Sequence, residues 1–177
     1  AYPLVFSDVH ACRWCNHGYF ASVPYLREHQ PYPWVRMHPD TAAAHGVADG
    51  DWVRIESPHG WVKLVAETTT TIPPGVLMAR RGWWQACDDL GLHGYGCLDG
   101  GSECAVLYDS DPARFDAFHS AMAKQTLVRM RALTKDEAAG SQGVDANAGA
   151  GRAAAANAAG ANGERGERKD EEVGVDA

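Results

Sequence analysis

Apolar and polar residues alternate in short runs along this chain, and a period of two recurs often enough to predict a mainly β fold with short helices. The clearest unit is Met37 to Ser57, MHPDTAAAHGVADGDWVRIES. Within it Trp52 to Glu56 sets Val53 and Ile55 against Arg54 and Glu56, the pattern of a half-buried strand. Ser57-Pro58-His59-Gly60 reads as a tight reversal, and Trp61 to Glu67 is a second strand with Val62, Leu64 and Ala66 on one face. Ahead of this hairpin a short helix fits His38 to His45. Pro39 has the φ of a first helical position, Asp40 sits near the positive end, the alanines favour the turn and Gly46 supplies a left-handed cap.

The same reading extends outward from that unit. Tyr2 to Ser7 is a first strand, and Ser22 to His29 forms a short helix with Ser22 as cap and Pro24 in its first turn. Pro31 and Pro33 force extended chain into a strand at Trp34 to Met37. Thr68 to Gly75 is a β-rich connection and turn, and Val76 to Ala79 is another strand. Asp88 to Asp111 carries no period and reads as a long loop. Asp111 to His119 suits a turn of helix around Phe115 and Phe118. A closing strand follows at Thr126 to Leu133, with Leu127, Arg129 and Arg131 alternating against Val128, Met130 and Ala132. From Thr134 the chain turns to Ala, Gly, Asn, Glu and Arg without an aromatic, so burial cannot offset chain entropy and a disordered tail is expected. The organisation is therefore one domain over residues 1–133 and a tail over 134–177.

Composition narrows the partners. A formal net charge of −7 over 177 residues argues against nucleic acid and against anionic membrane surfaces. No apolar run approaches the roughly 20 residues that cross a bilayer, so no membrane insertion is expected, and no charged-then-apolar leader is present. The sequence opens at Ala1 and enters an apolar strand at once, which suggests a piece of something longer or a processed product. Cys12, Cys15, Cys87, Cys97 and Cys104 are an odd set without framework spacing, which points to a reducing compartment or to one free thiol. Composition leaves the compartment itself open.

The most chemically loaded segment is the loop after the first strand, DVHACRWCNHGYF, which gathers Asp8, His10, Cys12, Arg13, Cys15 and His17 where binding groups are commonly displayed. His10, Cys12, Cys15 and His17 have a first-glance metal spacing. Zinc and iron-sulfur sites, however, usually draw ligands from two separated knuckles, and no second CxxC or HxxxH follows. A ligand-contacting loop is favoured over a metal site or a redox dithiol. Gly82-Trp83-Trp84 reads either as core or as a platform for a planar ligand. Asp40, Asp49 and Asp51 are explained by helix-start and turn chemistry rather than by acid-base catalysis, and His38, His45 and His59 flank turns as structural or solvated groups. No GxSxG, P-loop or GxGxxG motif is present.

The order PLVF, a loop rich in His and Arg, VPYLREHQPYPWVRMHPDTAAAHGVADGDWVRIESPHGWV, then IPPGVLMARRGWW resembles the C-terminal molybdopterin-dinucleotide-binding domain of the dimethyl sulfoxide reductase superfamily. The likeness covers roughly residues 2–133, with HPDTAAAHGVADGDWVRIESPHG its most specific part. Within the superfamily it is most similar to the acetylene hydratase, thiosulfate reductase and catechol dehydroxylase-like branches. The resemblance implies a six-stranded double-psi β-barrel of the aspartate-decarboxylase-like fold. It also implies that the chain binds the guanine dinucleotide part of a bis(molybdopterin) molybdenum or tungsten cofactor. By the same resemblance Asp8, His10, Arg13 and His17 meet the cofactor, and Ser102, Glu103, Lys124 and Gln125 occupy family contact positions; Trp84 is the cofactor-binding candidate of the Gly-Trp-Trp platform. Arginine suits a pyrophosphate because its fork forms paired charge-assisted bonds. The sequence departs from the family where Asp8-Val9-His10 replaces the usual Gly-Arg and SECAVL replaces an Asn-containing stretch.

The resemblance further places the metal ligand, the substrate pocket and any iron-sulfur cluster in an N-terminal part outside these residues. Its implied partners are the remaining domains of a parent reductase and an iron-sulfur electron-transfer subunit. Alone, the domain is expected to catalyse nothing. Two other readings stay open at this point: a stand-alone barrel acting as an interaction module, and a small metal or thiol protein built on CRWC.

Overall fold

Six short strands whose apolar faces have to be buried solve the problem by closing on one another. The structure, a computed structural model, describes residues 1–8, 21–98, 100–114 and 125–139. Strands β1 (Leu4–Asp8), β2 (Trp34–Met37), β3 (Trp52–Glu56), β4 (Trp61–Thr68), β5 (Val76–Ala79) and β6 (Thr126–Ala132) form a closed barrel in the order β1-β5-β2-β4-β3-β6. Two neighbouring pairs, β1 with β5 and β2 with β4, run parallel, and the remaining pairings are antiparallel. Closure removes every exposed sheet edge. The mainly β expectation and the six-stranded barrel are both met.

The interior follows from the period of two. Phe6, Val35, Met37, Val53, Ile55, Val62, Leu64, Leu77 and Val128 point inward and are buried. Each contributes about 1.5–3 kcal/mol relative to exposure. Leu127, on the opposite face of β6 from Val128, is 55% exposed. Cys104, Leu107 and Tyr108, from a 3-10 turn at Cys104–Leu107, join this core. A second cluster lies outside the barrel wall, where Trp52 and Val65, partners across β3 and β4, are covered by Trp83 and Tyr95.

The helices are shorter than expected. The first, α1, spans Pro24–Arg27; its N-cap is Val23, with no side-chain cap, so the role expected of Ser22 is not filled. Helix α2 spans Pro39–Ala44 and is capped by His38, whose Nδ1 accepts from the Asp40 amide at 3.2 Å. His38 is thus structural, as are Asp49, which accepts from the Thr68 amide at 2.6 Å, and Asp51, which accepts from the Ala48 amide at 2.8 Å. The long segment expected to be loop contains 3-10 turns at Asp88–Leu90 and Cys104–Leu107. Past Leu133 the chain does not lose structure at once: α3 spans Lys135–Ala139 and buries Ala138 in the second cluster. The expected tail thus begins with a docked helix, because Thr134 and Glu137 cap it and Ala138 finds an apolar seat. The rest of that tail, residues 140–177, and Phe115 and Phe118 lie outside the described residues.

Candidate functional site at the ends of β1 and β5

Parallel pairing puts Asp8, the last residue of β1, opposite Ala79, the last of β5. The chain leaving β5 therefore begins its next segment, Arg80-Arg81-Gly82-Trp83-Trp84, beside the end of β1. Arg81 Nη2 pairs with Asp8 Oδ2 at 2.6 Å. Gly82 has φ +95°, which a side chain would resist, and this lets its amide reach Glu103 Oε2 at 2.8 Å. The other Glu103 oxygen accepts from the Ala105 amide at 3.1 Å. Trp83 then folds back, its Nε1 donating to the Arg80 carbonyl at 3.0 Å.

Two guanidinium groups lie over the Trp83 ring: Arg27 at 5.0 Å and Arg80 at 4.5 Å from its centroid. Both arginines are buried, at 1% and 2% exposure. Arg27 donates to the carbonyls of Pro31, Ala21, Gln85 and His93 at 3.0–3.2 Å. Arg80 uses its Nε, on the Arg81 carbonyl at 3.3 Å; its Nη1 and Nη2 have no hydrogen-bond partner among the described residues. Arg81 Nε is likewise unpartnered there.

Beneath this segment sit Cys104 and Tyr108. Burial, with the nearby Glu103 and Asp8 carboxylates adding to it, pushes the Cys104 thiol well above the usual range. Burial also raises the Tyr108 phenol, with the Cys104 and Asp8 charges acting in the same direction. The Tyr108 hydroxyl faces Asp8 without closing a well-formed hydrogen bond. Both groups stay neutral near pH 7.

The residues expected from sequence to meet a cofactor are distributed as follows. Asp8 and Glu103 are brought together at this end of the barrel, both buried and both engaged by protein groups. Ser102 is buried, its hydroxyl donating to the Lys63 carbonyl at 2.6 Å. Trp84 is 49% exposed next to the buried Trp83, so the core reading of the Gly-Trp-Trp motif holds for Trp83. Gln125 is exposed immediately before β6. His10, Arg13, His17 and Lys124, with Cys12 and Cys15, lie outside the described residues. Among the described residues no group of acidic, His and Cys side chains could hold a metal ion, and the described cysteines 87, 97 and 104 are free thiols.

Sequence reasoning passed over Arg80, Arg81 and Arg27. A signal for the first two was present, since paired arginines directly after an apolar strand place cations where a barrel opens. Arg27 carried none, because its role depends on carbonyls far along the chain. In a second basic region, the outer groove of Arg54, Glu56, Arg129, Met130 and Arg131, each guanidinium already has a carboxylate partner. Glu56 pairs with Arg54 at 3.1 Å and Arg129 at 2.6 Å, and Arg131 pairs with Glu137 at 2.6 Å. An anion there would have to displace carboxylates.

Comparison with known proteins agrees with this architecture. Residues 4–117 match the family described as molydopterin dinucleotide binding domain. A putative dimethyl sulfoxide reductase catalytic chain of Halobacterium salinarum is 37% identical over 83 residues, covering 47% of this chain and 10% of that protein. A dopamine dehydroxylase of Eggerthella lenta is 32% identical over 83 residues, covering 47% of this chain and 8% of that protein. The matched stretch is thus about a tenth of the length of these relatives. The solved acetylene hydratase from Pelobacter acetylenicus superposes with a TM-score of 0.61 at 22% identity, covering 73% of this chain and 18% of that one, which is a likeness of fold.

Proposed function

The chain belongs to the molydopterin dinucleotide binding domain family of molybdenum oxidoreductases, and from that premise we propose that it grips the guanine dinucleotide end of a bis(molybdopterin) cofactor. The family match over residues 4–117, laid on a closed six-stranded barrel, carries this reading. The donor set fits the ligand. A dinucleotide presents a diphosphate, and the ends of β1 and β5 carry buried guanidinium nitrogens that have no acceptor among the described residues. Trp84 offers a half-exposed ring for a planar base or pterin.

In this reading Asp8 holds Arg81 and Glu103 holds the Gly82 turn, so both carboxylates shape the site rather than repel the diphosphate. Ser102 fixes the adjoining segment against β4, and His10, Arg13, His17, Lys124 and Gln125 complete the contacts. When bound, the cofactor supplies redox chemistry at a molybdenum or tungsten ion. This chain supplies binding and orientation. The metal ligand, the substrate pocket and any iron-sulfur cluster would belong to the remaining domains of a parent oxidoreductase and to an electron-transfer subunit. Titrating the full chain with guanosine diphosphate in a calorimeter tests the nucleotide half of the proposal. Saturable binding is expected, and a flat titration would refute it.

A further inference from the structure

We propose that Arg80 is the counter-ion of the diphosphate: its two terminal guanidinium nitrogens are left without acceptors by the described fold because the ligand's phosphate oxygens are their partners. The inference rests on the dinucleotide reading above and names the contact within it. Its starting point is an imbalance that protein packing alone does not tolerate well. A guanidinium is always charged and carries five donors, and hiding such donors without acceptors costs free energy that native structures almost always avoid. Arg80 is 2% exposed, and Nη1 and Nη2 are both unpartnered among the described residues. Its stacking on Trp83 at 4.5 Å leaves the Nη1 and Nη2 donors unmet among the described residues.

The described surroundings point to an external anion as the missing partner. The neighbouring carboxylates are spoken for: Asp8 is paired with Arg81, and both oxygens of Glu103 accept from backbone amides. Arg27, over the same ring, shows that this fold can supply carbonyls to a buried guanidinium when it has to. Arg81 adds an unpartnered Nε, and its side chain is 36% exposed. Arg81 is thus the more exposed of two consecutive arginines that both carry unpartnered guanidinium nitrogen among the described residues. The fork of Arg80 suits two oxygens of one phosphate group, which a lysine cannot match.

The test compares guanosine diphosphate with guanosine, titrated into the full chain carrying Arg80, R80M, R80Q or R80K, with melting temperatures measured alongside. The unsubstituted chain is expected to prefer the diphosphate over the nucleoside at least tenfold. R80M and R80Q should lose most of that preference while guanosine affinity stays within twofold, and R80K should retain only part of it. R80M should also melt no lower than the unsubstituted chain, since it removes an unpaired buried charge. Should R80M not fold, R80Q and R80K decide by the same ratio. A preference unchanged in the variants overturns the Arg80 assignment alone. Loss of both affinities together with a lowered melting temperature also overturns it, by assigning Arg80 a structural role. No binding of guanosine diphosphate by the unsubstituted chain overturns the dinucleotide reading and this inference with it.

Discussion

Arg27 and Arg80 lie over the same tryptophan, are equally hidden from water, and are treated in opposite ways by the fold. Arg27 is surrounded by carbonyls that converge from three parts of the chain, Ala21, Pro31 and the Gln85 to His93 segment, and it ties α1 to the loop that covers the barrel wall. Arg80 has one acceptor among the described residues for five donors. A buried cation with its acceptors in place is a rivet; one without them invites an anion. The difference separates a residue that makes the structure from a residue that the structure holds ready.

The largest effect expected from breaking this contrast is at the rivet. R27M should lower stability by about 3 kcal/mol, because it orphans several buried carbonyls at once and loosens the segment that carries Trp83. Urea denaturation would read the loss, and a change under about 1 kcal/mol would mean that water replaces the guanidinium freely. Next comes the support under Arg80. E103A strips the Gly82 and Ala105 amides of their acceptor and should cost about 2 kcal/mol, with faster hydrogen exchange at Gly82. Exchange at Gly82 that stays slow would show that another group holds this turn.

The sign should reverse at Arg80 itself. R80M is expected to leave the denaturation midpoint unchanged or to raise stability by about 1 kcal/mol, since removing a buried charge with unmet donors offsets the loss of one long hydrogen bond and the stack on Trp83. A clear drop would erase the distinction between the two arginines. The smallest effect concerns an exposed guanidinium for reference, the pairing of Arg131 with Glu137. Hydrogen bonding from Arg131 and from the Thr134 amide lowers the Glu137 carboxyl from 4.5 to about 2. Because the folded value lies below the unfolded one, its contribution is complete above pH 4.5 and fades as pH falls through about 2. Amide spectra of Thr134 should therefore hold steady to below pH 4.5 and shift near pH 2. A midpoint near 4.5 would show that the pair does not form.

Much of the barrel was legible because each strand carries its own alternation. Val53 and Ile55, Val62 and Leu64, and Val128 and Met130 all point inward as their spacing required. What local pattern missed lay where one element is covered by another distant in sequence. Val65 faces outward from β4 and is nevertheless buried, because Trp83 and Tyr95 fold over it. Ala138 is buried although its neighbourhood is compositionally tail-like, because Trp52 and Leu133 offer it an apolar seat. Of the candidate site, Asp8 and Glu103 were visible as polar residues at strand ends and loops, but their actual partners, Arg81 and the Gly82 amide, were not.

Strands, turns and family were already written in the order of the residues, since these depend on neighbours along the chain: a period of two, a proline before a helix, an aspartate beside a glycine. Which arginine is fastened and which is left open emerged only once the barrel had closed. Arg27, Arg80 and Arg81 are the same residue type, and their roles depend on which carbonyls and carboxylates the fold brings within about 3 Å of each guanidinium. That supply comes from segments remote in sequence, so no local pattern could encode it.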